Sequence, residues 1–392
     1  MPDTRSEPVL PSYGSSSLAE LVPSLLAALG AAAGSPDWRN PLRIRPAGRV
    51  CLLLVDGLGA EQLAAHPADA PFLTSLRGTA DPLTAGFPSS TPVSLSTLGT
   101  GAPPGAHGVL GVRFEAAHGE LLDAISWTTH RGGKPVDQRE ALPPERVQPL
   151  DTALATAAGA GVDVRVVSAR AFEGSGLTRA ALRGGQYRGV HALGDLAAEL
   201  IAALHDPGPV FCYGYHAHLD LLGHVYGPGS LPWRLELNIV DRVAALVAEA
   251  LPPDGLLAVT SDHGMVTVAA RERVDADSDD ALRAGVRLLG GDPRARHVYA
   301  EPGAAADVLA AWSERLGRRA WVRSGEQAIS EGWFGPVQSP AARGRIGDVV
   351  VAMRGAAAVT RTRAEPLLST LEGQHGSLTA AEQHIPLLLA RG

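Results

Sequence analysis

Four short apolar segments, each ending at a turn or at a polar residue, place the strongest constraint on the fold. They lie at residues 49–59, 163–169, 209–215 and 255–264 and are apolar at most positions. A nearly continuous apolar run of this length, rich in strand-forming residues, is typical of a strand buried on both faces of a parallel sheet. These segments therefore predict the central strands of one large sheet.

Segments rich in alanine and leucine, with amphipathic spacing, separate the predicted strands. The predicted helices cover residues 17–32, 59–66, 92–99, 150–160, 192–205 and 231–250. Alternation of strands and helices predicts an α/β fold with three layers, α/β/α, around a mostly parallel sheet. In such folds ligands bind at the carboxyl ends of the strands.

The alternation is interrupted between residues 274 and 345. This region contains the acidic stretch DADSDD, a strand-like HVYA, a helix-like segment around 304–316 and a polar GPVQSPAARG loop. We predict a small inserted α+β subdomain at 274–345, within a core formed by residues 1–273 and 346–392. The turn-rich stretch 115–149 is predicted to be a loop or a short hairpin over the site.

Charge and hydropathy argue against several classes of protein. The net charge of −7 has none of the basic character expected of a surface that binds nucleic acid. The start of the chain lacks the basic and apolar regions of a signal peptide, and no apolar run is long enough to span a membrane. Cys51 and Cys212 lie in strand-like runs, where buried thiols are expected. We expect a cytoplasmic protein with no nucleic-acid or membrane partner, and the sequence leaves the oligomeric state open.

Six residues of metal-binding type follow the predicted strands or lie in turns: Asp56, Asp220, His224, Asp262, His263 and His375. An aspartate at a strand end is by itself commonly a helix cap. Asp220 and His224, however, are four residues apart, so one helical turn brings both side chains to the same side. Gly264 would permit the sharp turn that lets its two neighbours in SDHG reach one ion. Three carboxylates and three imidazoles suit Zn²⁺ or Mn²⁺, and six ligands fit two ions better than one.

A threonine stands directly before a proline at the start of the predicted helix 92–99, in the segment FPSSTPVSL. Thr91 as a helix cap and Pro92 as the first helical residue would form an ordinary helix start. The alternative is a chemical role for the Thr91 hydroxyl, which the metal-binding residue types elsewhere in the chain favour. The residues alone leave both interpretations open.

The order of VDGLG, FPSSTP, DLLGHVYGP, TSDHGM and GQHG along the chain resembles that of the alkaline phosphatase superfamily, specifically its nucleotide pyrophosphatase/phosphodiesterase branch. The matching motifs extend from residue 56 to residue 375. The resemblance implies a sheet of the alkaline phosphatase type, two divalent metal ions, usually zinc, and a threonine nucleophile. It implies one ion held by Asp220, His224 and His375, and a second held by Asp56, Asp262, His263 and the Thr91 oxygen.

The activity that the resemblance implies is hydrolysis of phosphodiester or nucleotide pyrophosphate bonds through a phosphothreonine at Thr91. The substrate would be a small phosphodiester or a nucleotide-like molecule. Two alternatives remain open: a phosphomonoesterase or phosphonate hydrolase on the same core, and a catalytically silent metal-binding scaffold. The intact nucleophile and the six ligands argue against the scaffold.

Four further residues near the motifs are singled out by their positions. Ser94, three residues after the nucleophile, and Tyr215, five residues before Asp220, are candidate substrate-binding residues. Alkaline phosphatases have a glutamate in the position of Tyr215 that binds a third, magnesium ion, so a tyrosine favours diesters over monoesters. His216 and His218 are expected to support the site from outside it or to be exposed.

Overall fold

The protein is described by a computed structural model that covers residues 7–30, 39–117, 119–131 and 134–392. Residues 31 and 32 of the predicted helix 17–32 lie outside the described residues. So do residues 1–6, the start of the segment that was compared with a signal peptide. Among the described residues, no helix combines the length and the apolar character needed to cross a membrane.

Strands and helices alternate along most of the described chain. The strands, in chain order, are β1 (Arg49–Val55), β2 (Leu83–Thr84), β3 (Arg113–Ala117), β4 (Glu120–Asp123), β5 (Thr128–Arg131), β6 (Lys134–Asp137), β7 (Asp163–Ala169), β8 (Gln186–Val190), β9 (Val210–His216), β10 (Gly255–Thr260), β11 (Val266–Thr267), β12 (Arg273–Asp275), β13 (Val286–Asp292), β14 (Ala295–Ala300), β15 (Ala320–Ser324), β16 (Val349–Met353), β17 (Ala358–Thr360), β18 (Gly373–Gln374), β19 (His384–Ile385) and β20 (Leu387–Arg391).

Each predicted helical segment contains a helix. The α-helices are α1 (Leu21–Ala28), α2 (Ala60–Ala65), α3 (Pro71–Ser75), α4 (Thr91–Thr100), α5 (Pro104–His107), α6 (Pro144–Val147), α7 (Ala153–Gly159), α8 (Gly176–Ala181), α9 (Leu193–His205), α10 (His218–Tyr226), α11 (Leu231–Glu249), α12 (Asp280–Arg283), α13 (Ala305–Leu316), α14 (Gly325–Ser330), α15 (Pro340–Arg345) and α16 (Ala380–Gln383). Short 3₁₀ turns lie at Leu18–Glu20, Arg170–Phe172, Ala270–Glu272, Gly317–Arg319 and Leu368–Thr370.

The large sheet has the strand order β20-β10-β1-β9-β7-β8, and every neighbouring pair is parallel except β10 with β20. Its central strands β1, β9 and β10 are the predicted apolar runs, and nearly all their residues are buried. These strands end at the same edge, because Leu54 pairs with both Thr260 and Tyr215. The predicted mostly parallel α/β sheet is confirmed.

Helices cover both faces of this sheet. Val50, Leu52 and Leu54 of β1 pack in one apolar core together with residues of α1, α4 and α7. The alternate residues Cys51, Leu53 and Val55 pack in a second core with residues of α9 and α11. Because successive side chains of a strand point to opposite faces, the two cores lie on opposite sides of the sheet and form the predicted α/β/α layers.

A smaller antiparallel sheet has the order β13-β14-β16-β15, and α13 packs against it through Trp312. Strand β16 pairs here with β14 and β15, whereas the sequence interpretation assigned residues 346–392 to the core. A continuous apolar run can be buried in either sheet, so its composition did not identify its pairing partner. The small sheet therefore extends beyond residue 345, while the division of the chain into domains stays a prediction.

The segment predicted as a loop or short hairpin at 115–149 contains more structure than expected. Strands β3 to β6 form a four-stranded antiparallel meander. Phe114 and Trp127 are fully buried in a core of their own beneath it. The turn between β4 and β5 carries Ile125, which is half exposed and lines a cavity at the edge of the large sheet.

Candidate metal centre and active site

The carboxyl ends of the three central strands bring the predicted ligands together. Asp56 directly follows β1, and Asp262 and His263 follow β10 after a single serine. Asp220 lies in the first turn of α10, the helix that follows β9. His375 comes from the far end of the chain, one residue after β18. The sheet topology thus unites residues that are more than 300 positions apart in the sequence.

One group consists of Asp220, His224 and His375, whose ligand atoms all lie within 4.8 Å of one another. The Nε2 atom of His224 lies 3.3 Å from Asp220 Oδ2 and 3.2 Å from His375 Nε2. His375 Nε2 lies 3.7 Å from the other oxygen of Asp220. The helical spacing of Asp220 and His224 places both on the same side of α10, as the sequence predicted.

The second group consists of Asp56, Asp262 and His263, which are all buried and also lie within 4.8 Å of one another. His263 Nε2 lies 3.2 Å from Asp262 Oδ2 and 3.5 Å from Asp56 Oδ1. The imidazoles of His263 and His375 stack with ring centroids 3.6 Å apart. The two groups are therefore immediate neighbours and form one centre.

Backbone carbonyl groups orient all three histidines of the centre. The Nδ1 atoms of His224, His375 and His263 lie 2.8, 2.9 and 3.1 Å from the carbonyl oxygens of Gly373, Ser89 and Gly264, respectively. A carbonyl oxygen can only accept, so each Nδ1 carries the proton and each Nε2 presents a lone pair to the centre. This arrangement fixes the tautomer in the way that is typical of histidines that bind metals.

Burial raises the pKa of each of the three carboxyl groups, and repulsion between carboxylates adds to this effect for two of them. Burial, together with the charges of Asp262 and Asp220, raises the pKa of Asp56 well above its ordinary value. Burial also raises the pKa of Asp262, and that of Asp220 to about 6, although the nearby His224 acts in the opposite direction on Asp220. Burial lowers the pKa of His263 to about 3, which keeps this imidazole neutral.

Unpartnered oxygens provide a direct test of whether metal ions fit here. Asp56 Oδ1, Asp220 Oδ1 and Asp262 Oδ2 are buried, and none of them has a hydrogen-bond partner among the described residues. A buried carboxylate oxygen without a partner is costly. A divalent cation at each group would accept these lone pairs and offset the repulsion, so the residues present fit a binuclear centre.

Two glycines allow the chain to approach itself closely around the centre. Gly57 has a φ of +76°, and a Cβ atom there would lie 3.0 Å from the backbone of Asp220. Gly264 was expected to permit a sharp turn, but it is not one of the described glycines that have a positive φ. A Cβ atom on Gly264 would instead lie 2.0 Å from the carbonyl oxygen of Ala381. Close packing against the segment at 381 is therefore the reason for this glycine.

Thr91 is the first residue of α4, and the preceding Ser90 occupies the cap position. The interpretation of Thr91 as the helix cap is therefore wrong by one residue. Its Oγ1 lies 3.4 Å from His263 Nε2, and its side chain is partly exposed while the next eight residues of the helix are buried. The hydroxyl thus lies between the second group of ligands and solvent, at the amino end of a ten-residue helix.

Ser94 lies deeper than the sequence interpretation expected for a substrate-binding residue. It is fully buried, and its hydroxyl donates a hydrogen bond of 2.8 Å to the backbone carbonyl of Asp262. Helical spacing explains this position, because Ser94 is three residues after Thr91 and one turn further into the protein. Ser94 holds the Asp262 backbone against α4 and does not line the cavity beside Thr91.

Tyr215 lies beside both the ligands and the cavity. Its hydroxyl donates a hydrogen bond to Asp56 Oδ2, and burial is the main cause that raises the pKa of this hydroxyl well above its ordinary value. The Tyr215 ring forms an edge-on contact with Phe172, with ring centroids 6.2 Å apart. Tyr215 therefore orients the Asp56 carboxylate and lines the cavity at the same time.

A cavity of about 390 Å³ opens beside Thr91, Asp56 and His224. Its wall is mostly apolar, and the residues that contribute apolar side chains are Leu95, Ile125, Phe172, Leu177, Leu182, Tyr187, Tyr215 and Leu221. Sequence reasoning identified only Tyr215 among these. No local pattern distinguishes an apolar side chain that lines a cavity from one that packs in a core.

The chain is similar to known proteins both in its sequence pattern and in its fold. The model of the family "type I phosphodiesterase / nucleotide pyrophosphatase" matches residues 50–378. Murine ectonucleotide pyrophosphatase / phosphodiesterase 5 is similar in structure, with a TM-score of 0.66, 18% identity and coverage of 88% of each chain. No curated protein matches the sequence.

Two further solved structures resemble the chain over a similar extent. An inactive threonine-to-alanine variant of the murine protein, in complex with AMP, gives a TM-score of 0.66 at 17% identity, with 87% of each chain covered. The human ectonucleotide pyrophosphatase / phosphodiesterase 5 gives 0.64 at 17% identity, also with 87% of each chain covered. At these identities the likeness shows the shared fold. Because the family model extends from the first strand of the large sheet to beyond His375, the chain belongs to the type I phosphodiesterase / nucleotide pyrophosphatase family of hydrolases.

Proposed function

We propose that the protein hydrolyses phosphodiester or nucleotide pyrophosphate bonds at this centre, with Thr91 as the nucleophile and two divalent cations. One observation carries the proposal. The partly exposed Thr91 hydroxyl lies 3.4 Å from His263, at the amino end of α4, beside three carboxylates that each have one buried oxygen without a hydrogen-bond partner in the described part of the chain. The proposed nucleophile, the proposed ligands and a helix N-terminus of the kind that favours anions thus lie next to one another.

The proposed ligands suit Zn²⁺, with Mn²⁺ as the alternative, because the set mixes imidazole nitrogens with carboxylate oxygens and accepts either ion. Asp220, His224 and His375 would hold one cation. Asp56, Asp262 and His263 would hold the other, with Thr91 Oγ1 at its open side. When bound, such ions supply positive charge that favours the alkoxide of the nucleophile and the departing oxygen.

Thr91 would form a bond from Oγ1 to phosphorus while the bond from phosphorus to the leaving oxygen breaks. This step leaves the remaining phosphoryl group attached to Thr91 and releases an alcohol or a phosphate. A water molecule then attacks the same phosphorus, and cleavage of the Thr91 O–P bond restores the hydroxyl. The free amide groups at the start of α4 would bind the phosphoryl oxygens throughout.

The shape and polarity of the cavity support a substrate with a flat or apolar group next to its phosphate. Phe172, Tyr187 and Tyr215 contribute aromatic rings, which pack well against planar groups. A nucleotide-like molecule meets this description, and the complex of the murine relative with AMP supports that class. The tyrosine in place of a glutamate at residue 215 supports a preference for diesters over monoesters.

The test is a paired rate assay on the purified, zinc-loaded protein with an aryl phosphodiester and the matching aryl phosphomonoester. Thr91→Ala should lower kcat for the diester by at least about 10³-fold, as expected for loss of a nucleophile. Thr100→Ala is the matched control, because Thr100 lies at the other end of α4 and its hydroxyl donates only to the carbonyl of Ser96.

Near-normal rates for Thr91→Ala would contradict the proposed nucleophile. A faster monoester reaction would keep the nucleophile but contradict the diester preference. Absence of turnover in a protein that holds two ions per chain would favour a silent metal-binding scaffold.

A further inference from the structure

A second set of metal-binding side chains lies beside the centre and has no part in the proposed reaction. His216, His218 and Glu236 each offer one ligand atom, and these three atoms lie within 4.8 Å of one another. His216 Nε2 lies 2.7 Å from Glu236 Oε1. The imidazoles of His216 and His218 have centroids 5.2 Å apart and are nearly perpendicular, at 81°.

Three separate elements hold this set in place. His216 is the last residue of β9, His218 is the first residue of α10, and Glu236 reaches them from α11. The change from strand to helix across the single residue Ala217 brings the two histidines to one side of the chain. The cluster therefore depends on a corner of the core and not on a surface loop.

We propose that His216, His218 and Glu236 form a third divalent-metal site of the zinc class, separate from the two groups at Thr91. Two imidazoles and one carboxylate are the donor set of many single-ion zinc sites, which leave the fourth position open to water or to a ligand. The burial of the three side chains fits such a site. His216 is buried, Glu236 is partly buried and His218 is exposed, so the site would be closed toward the core and open outward.

The open side of this site adjoins the cavity of the catalytic centre. His218 lines the wall of that cavity together with Ala217 and Leu221. The backbone carbonyl of His216 also accepts a 2.9 Å hydrogen bond from the Asp56 amide. An ion bound here would brace the corner between β9 and α10, which holds Asp56 through this hydrogen bond and presents Asp220 two residues after His218.

The alternative is a plain hydrogen bond between His216 and Glu236 without an ion. Counting the metal ions bound to the full-length protein distinguishes a metal site from this hydrogen bond. The protein is stripped with a chelator, dialysed to equilibrium against micromolar Zn²⁺, and analysed by elemental mass spectrometry. We expect the wild-type protein to bind one zinc ion per chain more than either Glu236→Ala or His218→Ala.

His205→Ala is the matched control, since His205 is an exposed histidine whose Nδ1 lies 2.9 Å from the carbonyl oxygen of Ile201 in its own helix. It should bind as many ions as the wild-type protein. His218 is exposed, so its replacement tests the site without disturbing the core. Glu236→Gln adds a variant that keeps a hydrogen-bonding side chain while removing the charged ligand.

This experiment measures the difference in bound ions between the wild-type protein and each variant. The difference does not depend on how many ions the Thr91 centre holds or on whether that centre is active. The absorption spectrum of the cobalt-substituted protein provides a second readout, in which the contribution of one ion should disappear in the variants. Equal ion counts and equal cobalt spectra for wild type, Glu236→Ala and His218→Ala would overturn the proposal.

Discussion

The carboxylate of Asp56 has two oxygens in different surroundings. Oδ2 accepts the hydrogen bond from the Tyr215 hydroxyl, while Oδ1 is buried without a hydrogen-bond partner among the described residues. One oxygen is thus fixed by the protein, and the other is available to a cation. Partners of this kind orient ligands, and their loss typically costs about 10–100-fold in metal affinity or activity.

Tyr215→Phe therefore should weaken zinc binding and lower kcat, each by about 10-fold or more. Removal of the hydroxyl leaves the Asp56 carboxylate free to rotate, while the aromatic ring still lines the cavity. Tyr187→Phe is the matched control, because its hydroxyl donates to the carbonyl of Ala169 and its ring lines the same cavity. Steady-state kinetics and zinc titration provide the readouts. Equal effects of the two substitutions would show that the Asp56 hydrogen bond has no special role.

Asp292 is not one of the proposed metal ligands, although its carboxyl group packs against Gly376 next to His375, and its titration contributes to the pH dependence of stability. Burial raises the pKa of its carboxyl group to about 7, against the opposing effect of Arg296. Oδ1 accepts hydrogen bonds from the amides of Arg294 and Ala295, while Oδ2 has no partner among the described residues. The folded protein therefore retains a proton that the unfolded chain releases near pH 4.

The sign of this effect follows from linkage. The stabilising contribution of the protonated group is fully present below about pH 4 and is lost as the pH rises through about 7. Asp292→Asn removes the titration, so its free energy of unfolding relative to wild type should increase between pH 4 and pH 7 and then level off. Urea denaturation of both proteins across this range measures the difference. A constant difference would contradict the raised pKa.

At the scale of secondary-structure elements, the position of Thr91 depends on how closely α4 approaches α8. Gly99 lies near the carboxyl end of α4, and a Cβ atom there would lie 1.8 Å from the carbonyl oxygen of Ala181 in α8. Backbone atoms cannot move aside as a flexible side chain can. The absence of a side chain at Gly99 is therefore what allows these two helices to pack.

Gly99→Ala should destabilise the protein by about 1–3 kcal/mol, as overpacking usually does, and should lower kcat by displacing α4 and its Thr91. Gly159→Ala is the matched control at the end of α7, where an added Cβ atom would meet nothing within 4 Å. It should stabilise by up to about 1 kcal/mol. Thermal unfolding and the diester assay test both variants, and equal stability of the two would contradict the close packing.

The elements show which parts of the fold the sequence could predict. β1, β7, β9 and β10 are continuous apolar runs, so their burial in a parallel sheet was evident. The edge strand β8 was not predicted, because its residues alternate between exposed and partly buried positions. Strand β16 lies in the segment 346–392, which the sequence interpretation assigned to the core, but it pairs within the small antiparallel sheet, since composition does not specify a pairing partner.

At the site, the sequence predicted the six aspartates and histidines but not the position of Ser94 or the cavity wall. Aspartates and histidines at strand ends are rare enough to be noticed, and the structure brings all six together in two groups. Their roles as ligands stay a prediction. Ser94 was assigned from its distance along the chain, without knowledge of which side of α4 it occupies. The cavity wall combines side chains from many segments, and only the folded chain shows that they meet.

At the scale of the whole molecule, the centre is a source of instability when no cation is bound. Burial raises the pKa values of three carboxyl groups that the sheet topology brings together, and repulsion from neighbouring carboxylates adds to this effect for Asp56 and Asp220. A cation that binds only the folded state stabilises it by mass action, by about 2.7 kcal/mol for each independent site at a concentration 100-fold above its Kd. Metal binding and folding should therefore be coupled in this protein.

Removal of metal with a chelator at neutral pH should accordingly lower the Tm, and addition of Zn²⁺ should restore it. Asp262→Asn should reduce the zinc-dependent part of this shift, because it removes a ligand, and should raise the Tm of the metal-free protein by relieving repulsion. Calorimetry with and without chelator tests both effects. An unchanged Tm on chelation would contradict the binding of cations at the centre.

The stereochemical course at phosphorus shows whether Thr91 forms a covalent bond to phosphorus during the reaction. A chiral phosphorothioate diester is hydrolysed by the zinc-loaded protein in water enriched in a heavy oxygen isotope, and the configuration of the product is determined. Attack by Thr91 and then by water gives two inversions, so we expect overall retention of configuration. Overall inversion would mean that water attacks the diester directly, and it would contradict the covalent role of Thr91.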